Sequence, residues 1–204
     1  MGKIKKDQTT EQKILAAARK AFVRDGMSGA RMQDIADEAG INKALLHYYF
    51  RNKEKLFETI FKEATLEFLP RMNEIFESDM TVYEKISYFC NEYIDQVSKN
   101  PFIPLFLLSE TQKQPDQFLK RMWGGQRPRL NVFAAQLQQE IQKGNIKPTH
   151  PMHIIMNMFS MCAFPFLAKP VLHFATGMSE AQFRELMEQR KKEVPRFVID
   201  AIKK

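Results

Sequence analysis

Basic and hydrogen-bonding side chains are concentrated in one short stretch near the N-terminus of the chain. Lys43, His47 and Tyr48 fall there at helical spacing with Leu45 among them, and Lys53 follows at the start of the next helix. Side chains of these types neutralise phosphates and hydrogen-bond to, or pack against, the edges of bases, which is the chemistry of nucleic-acid recognition. The competing interpretation is that the lysines are merely solvated and that the aromatic residues pack at the end of a helix.

A second chemically capable group lies far downstream, where imidazole, thioether and thiol side chains occur together. It comprises His150, Met152, His153, Met156 and Cys162. Such ligands suit copper or zinc, so a metal-dependent enzyme or metal sensor is a distant alternative. However, no second cysteine or spaced carboxylate fixes a coordination geometry, and the chain has no Gly-rich phosphate loop or nucleophile elbow. We therefore expect no enzymatic activity, no bound metal and no other cofactor.

The elements that surround the basic stretch follow the helix-turn-helix pattern. Residues 32–39 have apolar side chains at helical spacing, and Gly40 can adopt the positive φ that a sharp reversal needs. Asn42 is a good N-cap for the next helix, whose inner side carries Leu46. That helix is expected to be held by its inner face and to present its outer face to a DNA major groove.

The remainder of the chain also gives helical signals. A capping box at Thr9 and Gln12 is predicted to open the first helix, and Gly26 is predicted to end it. Asn52 is expected to cap a longer helix. The apolar residues of that longer helix are Leu56, Ile60, Ala64, Phe68 and Met72.

Four further helices are predicted in the C-terminal part of the chain. Capping boxes at Thr81 and at Ser179 open two of them, Pro128 begins one that stops at Gly144, and another spans residues 151–168. Pro165 and Pro170 are expected to bend or stop the helix at 151–168, and Pro195 is expected to kink the last helix. The fold class is therefore all-α, with about nine helices. We place a DNA-binding domain at residues 1–53 and a larger helical domain at 54–204.

The positive charge is concentrated in the first of these domains. Residues 1–53 contain 11 Lys and Arg against 6 Asp and Glu, a net +5 of the formal +7 for the whole chain of 204 residues. This excess suits a polyanionic partner such as DNA. The two cysteines suggest neither a disulfide framework nor a zinc site, and no signal peptide or clean membrane-spanning run is visible. The cytoplasm is the expected location.

The motif itself resembles the DNA-binding domain of the TetR family of bacterial repressors. The stretch from Asp34 to Leu56 reads DIADEAGINKALLHYYFRNKEKL, and the preceding ILAAARKAFVRDG, Ile14 to Gly26, resembles the family's first helix. The resemblance covers roughly residues 10–60. It implies an N-terminal three-helix unit that binds DNA, followed by a body that dimerises and binds ligands.

The resemblance implies DNA contacts for the positions that match. Lys43 and Ala44 match the start of the recognition helix, His47 stands where the family most often has Tyr, and Lys53 matches a phosphate-binding Lys. Arg31 stands where a capping Thr is common, so its helix is expected to lack a side-chain cap. Ala44 and Leu45 also differ from the residues that are usual in the family. We expect these differences to change which operator sequence is bound and not the mode of binding. The predicted DNA-binding residues are Arg31, Gln33, Asn42, Lys43, Ala44, Leu45, His47, Tyr48 and Lys53.

The resemblance also implies that the last two long helices pair with those of a second copy. Apolar surface for this homodimer is expected from Met152, Ile155, Met156, Phe159, Phe183, Leu186, Phe197 and Ile202, although each can instead complete the monomer core. A pocket for an apolar or amphipathic small molecule is expected near the middle of the chain, although Met and Phe at helical spacing are more often ordinary core. The predicted lining residues are Phe89, Tyr93, Phe102, Phe106, Met122, Trp123, Phe133, Asn157, Phe159 and Ser160.

These features together predict a transcriptional regulator, by the family's habit a repressor, that binds palindromic double-stranded operator DNA as a homodimer. A small-molecule effector is expected to release it, and no membrane is expected to take part. A constitutive or architectural DNA-binding protein without an effector is the nearer alternative.

Overall fold

The computed structural model describes residues 2–66, 68–111, 120 and 127–204. These residues form helices, and the only extended pairing among them is an isolated bridge between Ile146 and Lys203. The predicted all-α class is confirmed, with more helices than the nine expected. The helices are α1 (Gly2–Gly29), α2 (Met32–Ala39), α3 (Lys43–Tyr49), α4 (Lys53–Leu66), α5 (Phe68–Glu77), α6 (Val82–Lys99), α7 (Ile103–Thr111), α8 (Leu130–Gln142), α9 (Pro151–Leu167), α10 (Lys169–Thr176) and α11 (Glu180–Ile202).

The described residues divide into two compact units. The first contains the chain as far as Leu66 together with the segment that begins at Leu105, and the second contains the remainder. The predicted boundary after residue 53 would place α4 in the second unit. The structure instead groups α4 with α1, because Phe57 of α4 packs edge-on against Phe22 of α1 with ring centroids 4.7 Å apart.

Helix α1 differs from the prediction at its beginning. It begins at Gly2, so Thr9 lies inside the helix and the capping box expected there is wrong. Gly26 has a non-helical backbone, with φ of 68° and ψ of 176°, so the regular helix ends there as predicted, and a further short helical stretch continues beyond this kink to Gly29. One face of α1 carries the apolar residues of the first core, including Ile14, Ala18 and Phe22, which are all almost fully buried.

The segment predicted as one long helix after Asn52 contributes to both units. Leu56 and Ile60 of α4 are buried in the first unit, and Met72 of α5 belongs to the hydrophobic core of the second. The Asn52 cap is confirmed, because its side-chain Oδ1 accepts from the Lys55 backbone N–H at 2.9 Å.

The second unit is organised around α6, which packs along α11 and also contacts α5, α8 and α9. The capping boxes predicted at Thr81 and Ser179 are both present, since each hydroxyl accepts from the third helical residue, whose side chain accepts from the cap backbone in return. These reciprocal bonds satisfy amide groups that the first turn of a helix otherwise leaves unpaired.

Prolines mark the helix ends of this unit, and the predicted break near Pro165 and Pro170 is confirmed, because α9 ends at Leu167 and Pro170 lies in the first turn of α10, which is bent by 66° from α9. Pro151 occupies the first turn of α9, and Pro165 lies inside that helix two residues before its end. Pro195 likewise lies within α11, which continues to Ile202. Among the described residues no single helix is long and apolar enough to cross a membrane, and α9 with α10 meets that test only as a pair bent by 66°.

Candidate nucleic-acid interface

The turn between α2 and α3 has the geometry that the sequence predicted. Gly40 is left-handed, with φ of 67° and ψ of 34°, and its amide donates to the carbonyls of Ala36 and Asp37. The Ile41 amide donates to the same Ala36 carbonyl at 3.0 Å. These bonds satisfy the last carbonyls of α2 and reverse the chain within two residues, which fixes the direction in which α3 leaves.

Helix α3 is short, so its rigidity comes from its ends and its inner face rather than from its length. The Asn42 side chain accepts from the Leu45 amide at 2.7 Å, which confirms the predicted N-cap. Leu46 is fully buried and Phe50 nearly so, whereas Tyr49 is only half-buried. Two buried anchors and one cap therefore hold a helix of two turns.

The outer face of α3 carries the residues predicted to read DNA. Lys43, Ala44, Leu45, His47 and Tyr48 are all exposed, and Tyr48 exposes 82% of its surface. A large aromatic side chain so far out of the core gains little from packing, although its ring makes an edge contact with Tyr49 at 5.5 Å. The structure thus brings these residues together on one face, and their contacts with DNA remain predictions.

The His47 side chain is oriented by a bond to the backbone. Its Nδ1 lies 3.1 Å from the carbonyl oxygen of Arg51. This bond ties the last turn of α3 to the segment that leads into α4. With Nδ1 occupied, Nε2 is the ring nitrogen left to meet an external group.

The start of α2 carries the two other predicted contacts. Arg31 is the N-cap residue with an extended backbone, and its helix has no side-chain cap, as the replacement of the usual Thr predicted. Arg31 is exposed, whereas the exposed Gln33 is already bonded through Nε2 to Asp37 at 2.8 Å. Asp34 in the first turn favours the helix dipole in the absence of a cap.

Lys53 is placed differently from the other predicted contacts. Its ammonium donates to the Ala30 carbonyl at 3.0 Å and to the Ser28 carbonyl at 3.4 Å, and its side chain is half-buried. The sequence motif carries no sign of this use, because the acceptors lie more than twenty residues away along the chain.

The cations of the first unit fall into two groups. Several are paired with acids within the unit, among them Arg19 with Glu63 and Lys20 with Glu38. Within the described part of the chain, Arg31, Lys43 and Arg51 make no such pair, and all three are exposed. Arg51 was not among the predicted contacts, although its charge and its place directly after α3 were visible in the sequence.

The predicted ligand-binding residues are only partly brought together. Phe89, Tyr93 and Phe159 contact one another in the second unit, with the rings of Phe89 and Phe159 4.5 Å apart. Phe133 joins them through Phe76, whose ring it stacks against at 5.3 Å. Burial raises the pKa of the Tyr93 hydroxyl, so that group stays protonated and can donate a hydrogen bond.

The other predicted lining residues lie elsewhere. Phe106 packs against Phe57 at 4.0 Å in the core of the first unit, and Phe102 is buried in the second. Asn157 and Ser160 are exposed on α9, and Asn157 lines a groove of about 310 Å³ beside α11 rather than the aromatic cluster. Met122 and Trp123 lie outside the described residues.

The two cysteines, far apart in sequence, meet in the core of the second unit. Both are free and buried. A hydrogen bond with Cys162 and burial together raise the pKa of the Cys90 thiol, and the nearby Arg190 charge opposes this only weakly. Cys90 is therefore held as a thiol, which is a poor nucleophile.

The apolar residues predicted for dimerisation separate into two sets. Ile155, Phe183 and Ile202 are buried in the core of their own chain, and Phe159 and Leu186 pack partly against it. Met152, Met156 and Phe197 are exposed by 41%, 58% and 63%. Only the second set is available to another copy.

The downstream histidines have local roles. His150 caps α9, because its Nδ1 accepts from the Met152 amide at 3.2 Å, and the His153 ring lies 6.1 Å from it. No group of three or more His, Cys, Asp or Glu that could hold a metal occurs within the residues that the structure describes.

Comparison with known proteins places this arrangement in a class. Residues 14–60 match the family model of bacterial regulatory proteins, tetR family, which spans α1 to α4 and includes the whole helix-turn-helix. The resemblance predicted from the motif is thereby confirmed, and residues 14–60 form a helix-turn-helix domain of the tetR regulator type.

Individual relatives extend the similarity over the rest of the chain. The Fatty acid metabolism regulator protein of Bacillus subtilis is 23% identical over 144 residues, which cover 71% of this chain and 74% of that protein. The HTH-type transcriptional regulator RutR of Escherichia coli is 22% identical over 193 residues, 93% of this chain and 89% of RutR. The crystal structure of FadR from Bacillus subtilis with stearoyl-CoA shares the fold with a TM-score of 0.60 at 18% identity, covering 94% of this chain and 98% of that one.

Proposed function

We propose that this protein represses transcription by binding palindromic operator DNA as a homodimer, and that a small apolar or amphipathic effector releases it. The observation that supports DNA reading most directly is the outer face of α3, where Lys43, Leu45, His47 and Tyr48 are exposed while Leu46 anchors the inner face. We infer repression rather than activation because regulators of the TetR family usually repress.

A single α3 helix offers too few contacts for tight specific binding. Two copies on a palindrome bring two such helices to successive major grooves, about 34–36 Å apart. The exposed apolar face of α9 and α11, with Met152, Met156 and Phe197, is the surface that we assign to the second copy. An isologous pairing of this face gives the twofold symmetry that a palindrome requires.

We assign the effector to the aromatic cluster of the second unit, at Phe89, Tyr93 and Phe159. Aromatic side chains with one phenolic donor suit an amphipathic molecule with a long apolar part and a single polar anchor. The similarity to a fatty acid metabolism regulator, and to FadR solved with stearoyl-CoA, supports the same chemical class. Release follows if the effector favours a spacing of the two reading heads that no longer fits the operator.

The DNA-binding part is tested with Tyr48→Ala and a matched control. Phe174→Ala also removes an exposed ring, 94% accessible, but from α10 of the second unit. Operator fragments selected from random duplexes are titrated by fluorescence anisotropy at low salt. We expect Tyr48→Ala to weaken binding at least several-fold and Phe174→Ala to bind like the wild type. Equal affinities for all three proteins would refute the role of α3.

The effector part is tested on the preformed complex. Stearoyl-CoA is added to the protein bound to its operator, with free coenzyme A as the control that lacks the acyl chain. We expect the acylated compound alone to lower the anisotropy. If acyl-CoAs, fatty acids and other amphiphiles all leave the complex intact, the alternative of a constitutive DNA-binding protein replaces the ligand-responsive one.

A further inference from the structure

The segment between α3 and α4 contains two cations, Arg51 and Lys53, whose surroundings differ. The Lys53 ammonium donates to the carbonyls of Ala30 and Ser28 at 3.0 and 3.4 Å. Arg51 is exposed, and its guanidinium has no partner in the part of the chain that is described. Two of the three donors of the half-buried Lys53 ammonium are therefore occupied inside the protein, whereas the exposed Arg51 guanidinium can offer all of its donors to an external anion.

Lys53 occupies a position where the protein itself needs a cation. The last carbonyls of a helix have no partner within the helix, and they form the negative end of its dipole. Helix α1 ends at Gly29 after its kink at Gly26, and Lys53 donates to the carbonyls on either side of that end. Lys53 is also the first residue of α4, so its side chain joins the end of α1 to the beginning of α4.

The backbone of Arg51 is bonded to helix α3. Its backbone carbonyl is bonded to Nδ1 of His47 at 3.1 Å, which couples its position to the last turn of the reading helix. A guanidinium binds phosphate through two parallel N–H donors and keeps its charge at all physiological pH values. An exposed arginine fixed directly beside the reading helix is suited to a DNA backbone phosphate.

We propose that Arg51 is the phosphate ligand of this segment and that Lys53 is a positioning residue that holds the end of α1 against the start of α4. This assignment rests on the proposed DNA-binding function. It moves the phosphate contact that the family resemblance implies for Lys53 to a residue two positions earlier.

The salt dependence of DNA binding separates the two roles. Each phosphate contact contributes about 0.9 to the slope of log affinity against log salt concentration. Full-length wild type, Arg51→Ala, Lys53→Met and Lys62→Ala are titrated against one labelled random-sequence duplex over a series of salt concentrations. Lys62 is an exposed lysine towards the other end of α4 and is the control for loss of a surface charge.

We expect Arg51→Ala to reduce the magnitude of the slope by about 0.9 for each subunit that touches the duplex. Lys53→Met should weaken binding several-fold at every salt concentration and leave the slope unchanged, because it disturbs the placement of α3 without removing a phosphate contact. Lys62→Ala should change neither quantity.

Hydrogen exchange distinguishes a positioning residue from a phosphate ligand, because loss of a phosphate ligand does not change exchange in the free protein. Without DNA, Lys53→Met should accelerate exchange of the Ala30 amide, which donates to the Gly26 carbonyl at the end of α1. Lys53→Arg should restore slow exchange because it keeps the charged donors, and Arg51→Ala should have no effect.

Two results overturn the proposal: a slope that falls with Lys53→Met, or one that stays unchanged with Arg51→Ala. Failure of the proposed function gives a different result, namely a wild type that binds no duplex at any salt concentration.

Discussion

At the scale of single residues, Lys85 shows how the second unit uses a buried charge. Its side chain is only 2% exposed, and its ammonium donates to the Phe76 carbonyl at 2.8 Å. It therefore closes the C-terminal end of α5, next to the ring that connects Phe89 with Phe133. Burial lowers the pKa of Lys85, and the nearby Asp79 carboxylate offsets only part of this effect.

The lowered pKa of Lys85 has a consequence for stability at alkaline pH. Between the folded pKa and the ordinary lysine value, the unfolded chain binds more protons than the folded one, so stability rises with pH. We therefore expect the unfolding free energy of the wild type, relative to Lys85→Met, to increase from pH 7 to pH 10. Urea titrations of both proteins at several pH values measure this difference. A difference that does not change with pH would contradict it.

At the scale of elements, the α2–α3 turn depends on one backbone conformation. A Cβ added at Gly40 would meet no atom within 4 Å, so space is not the constraint. The constraint is the positive φ of 67°, which L-residues with a Cβ adopt at a cost of about 1–2 kcal/mol. The direction of α3, and with it the placement of Tyr48, follows from this single residue.

Two substitutions at Gly40 test whether the turn depends on the positive φ. Gly40→Ala is expected to lower the free energy of unfolding by about 1–2 kcal/mol and to weaken DNA binding through a misdirected α3. Gly40→Asn should lose less of both, because Asn tolerates the left-handed conformation better than other residues with a Cβ. Denaturant titration and anisotropy on the same preparations provide the measurement. Equal losses for Ala and Asn would indicate that the turn does not depend on this φ.

At the scale of the whole molecule, the apolar residues of α9 and α11 serve two purposes. The inner ones, such as Ile155 and Phe183, close the core of the chain. The outer ones, such as Met156 and Phe197, are exposed by 58% and 63%, and we assign them to the proposed contact with a second copy. A DNA-binding protein that reads a palindrome needs such a surface on each copy.

A charge on the outer face should therefore dissociate the proposed dimer. In light scattering at micromolar concentration we expect the wild type to have twice the mass of the 23.9 kDa chain and Met156→Asp to have the mass of one chain. Val23→Asp is the control, because Val23 of α1 is exposed to a similar extent, 51% against 58% for Met156. If Met156→Asp keeps the doubled mass, the dimer uses another surface.

What the sequence determined by itself is the set of features that depend on neighbours within a helical turn. Features of this kind were predicted correctly from residues within one turn of each other. They are the Gly40 turn, the helix caps at Asn42 and Asn52, the capping boxes at Thr81 and Ser179, and the buried anchor Leu46. The capping box at Thr9 failed because a capping signal does not prevent a helix from starting earlier. The exposed face of α3 followed from the same short stretch, and its contacts with DNA remain predictions.

Only the tertiary structure decided which distant residues share a surface. It joined Lys53 to Ala30, brought Cys90 to Cys162, placed Phe106 with Phe57 rather than with Phe89, and divided the apolar residues of α9 between core and exterior. The physical reason is that any nearby acceptor can satisfy a polar donor. An apolar side chain can likewise be buried in the core of its own chain or against a second copy. Sequence spacing reports that the group must be satisfied, and only packing selects the partner.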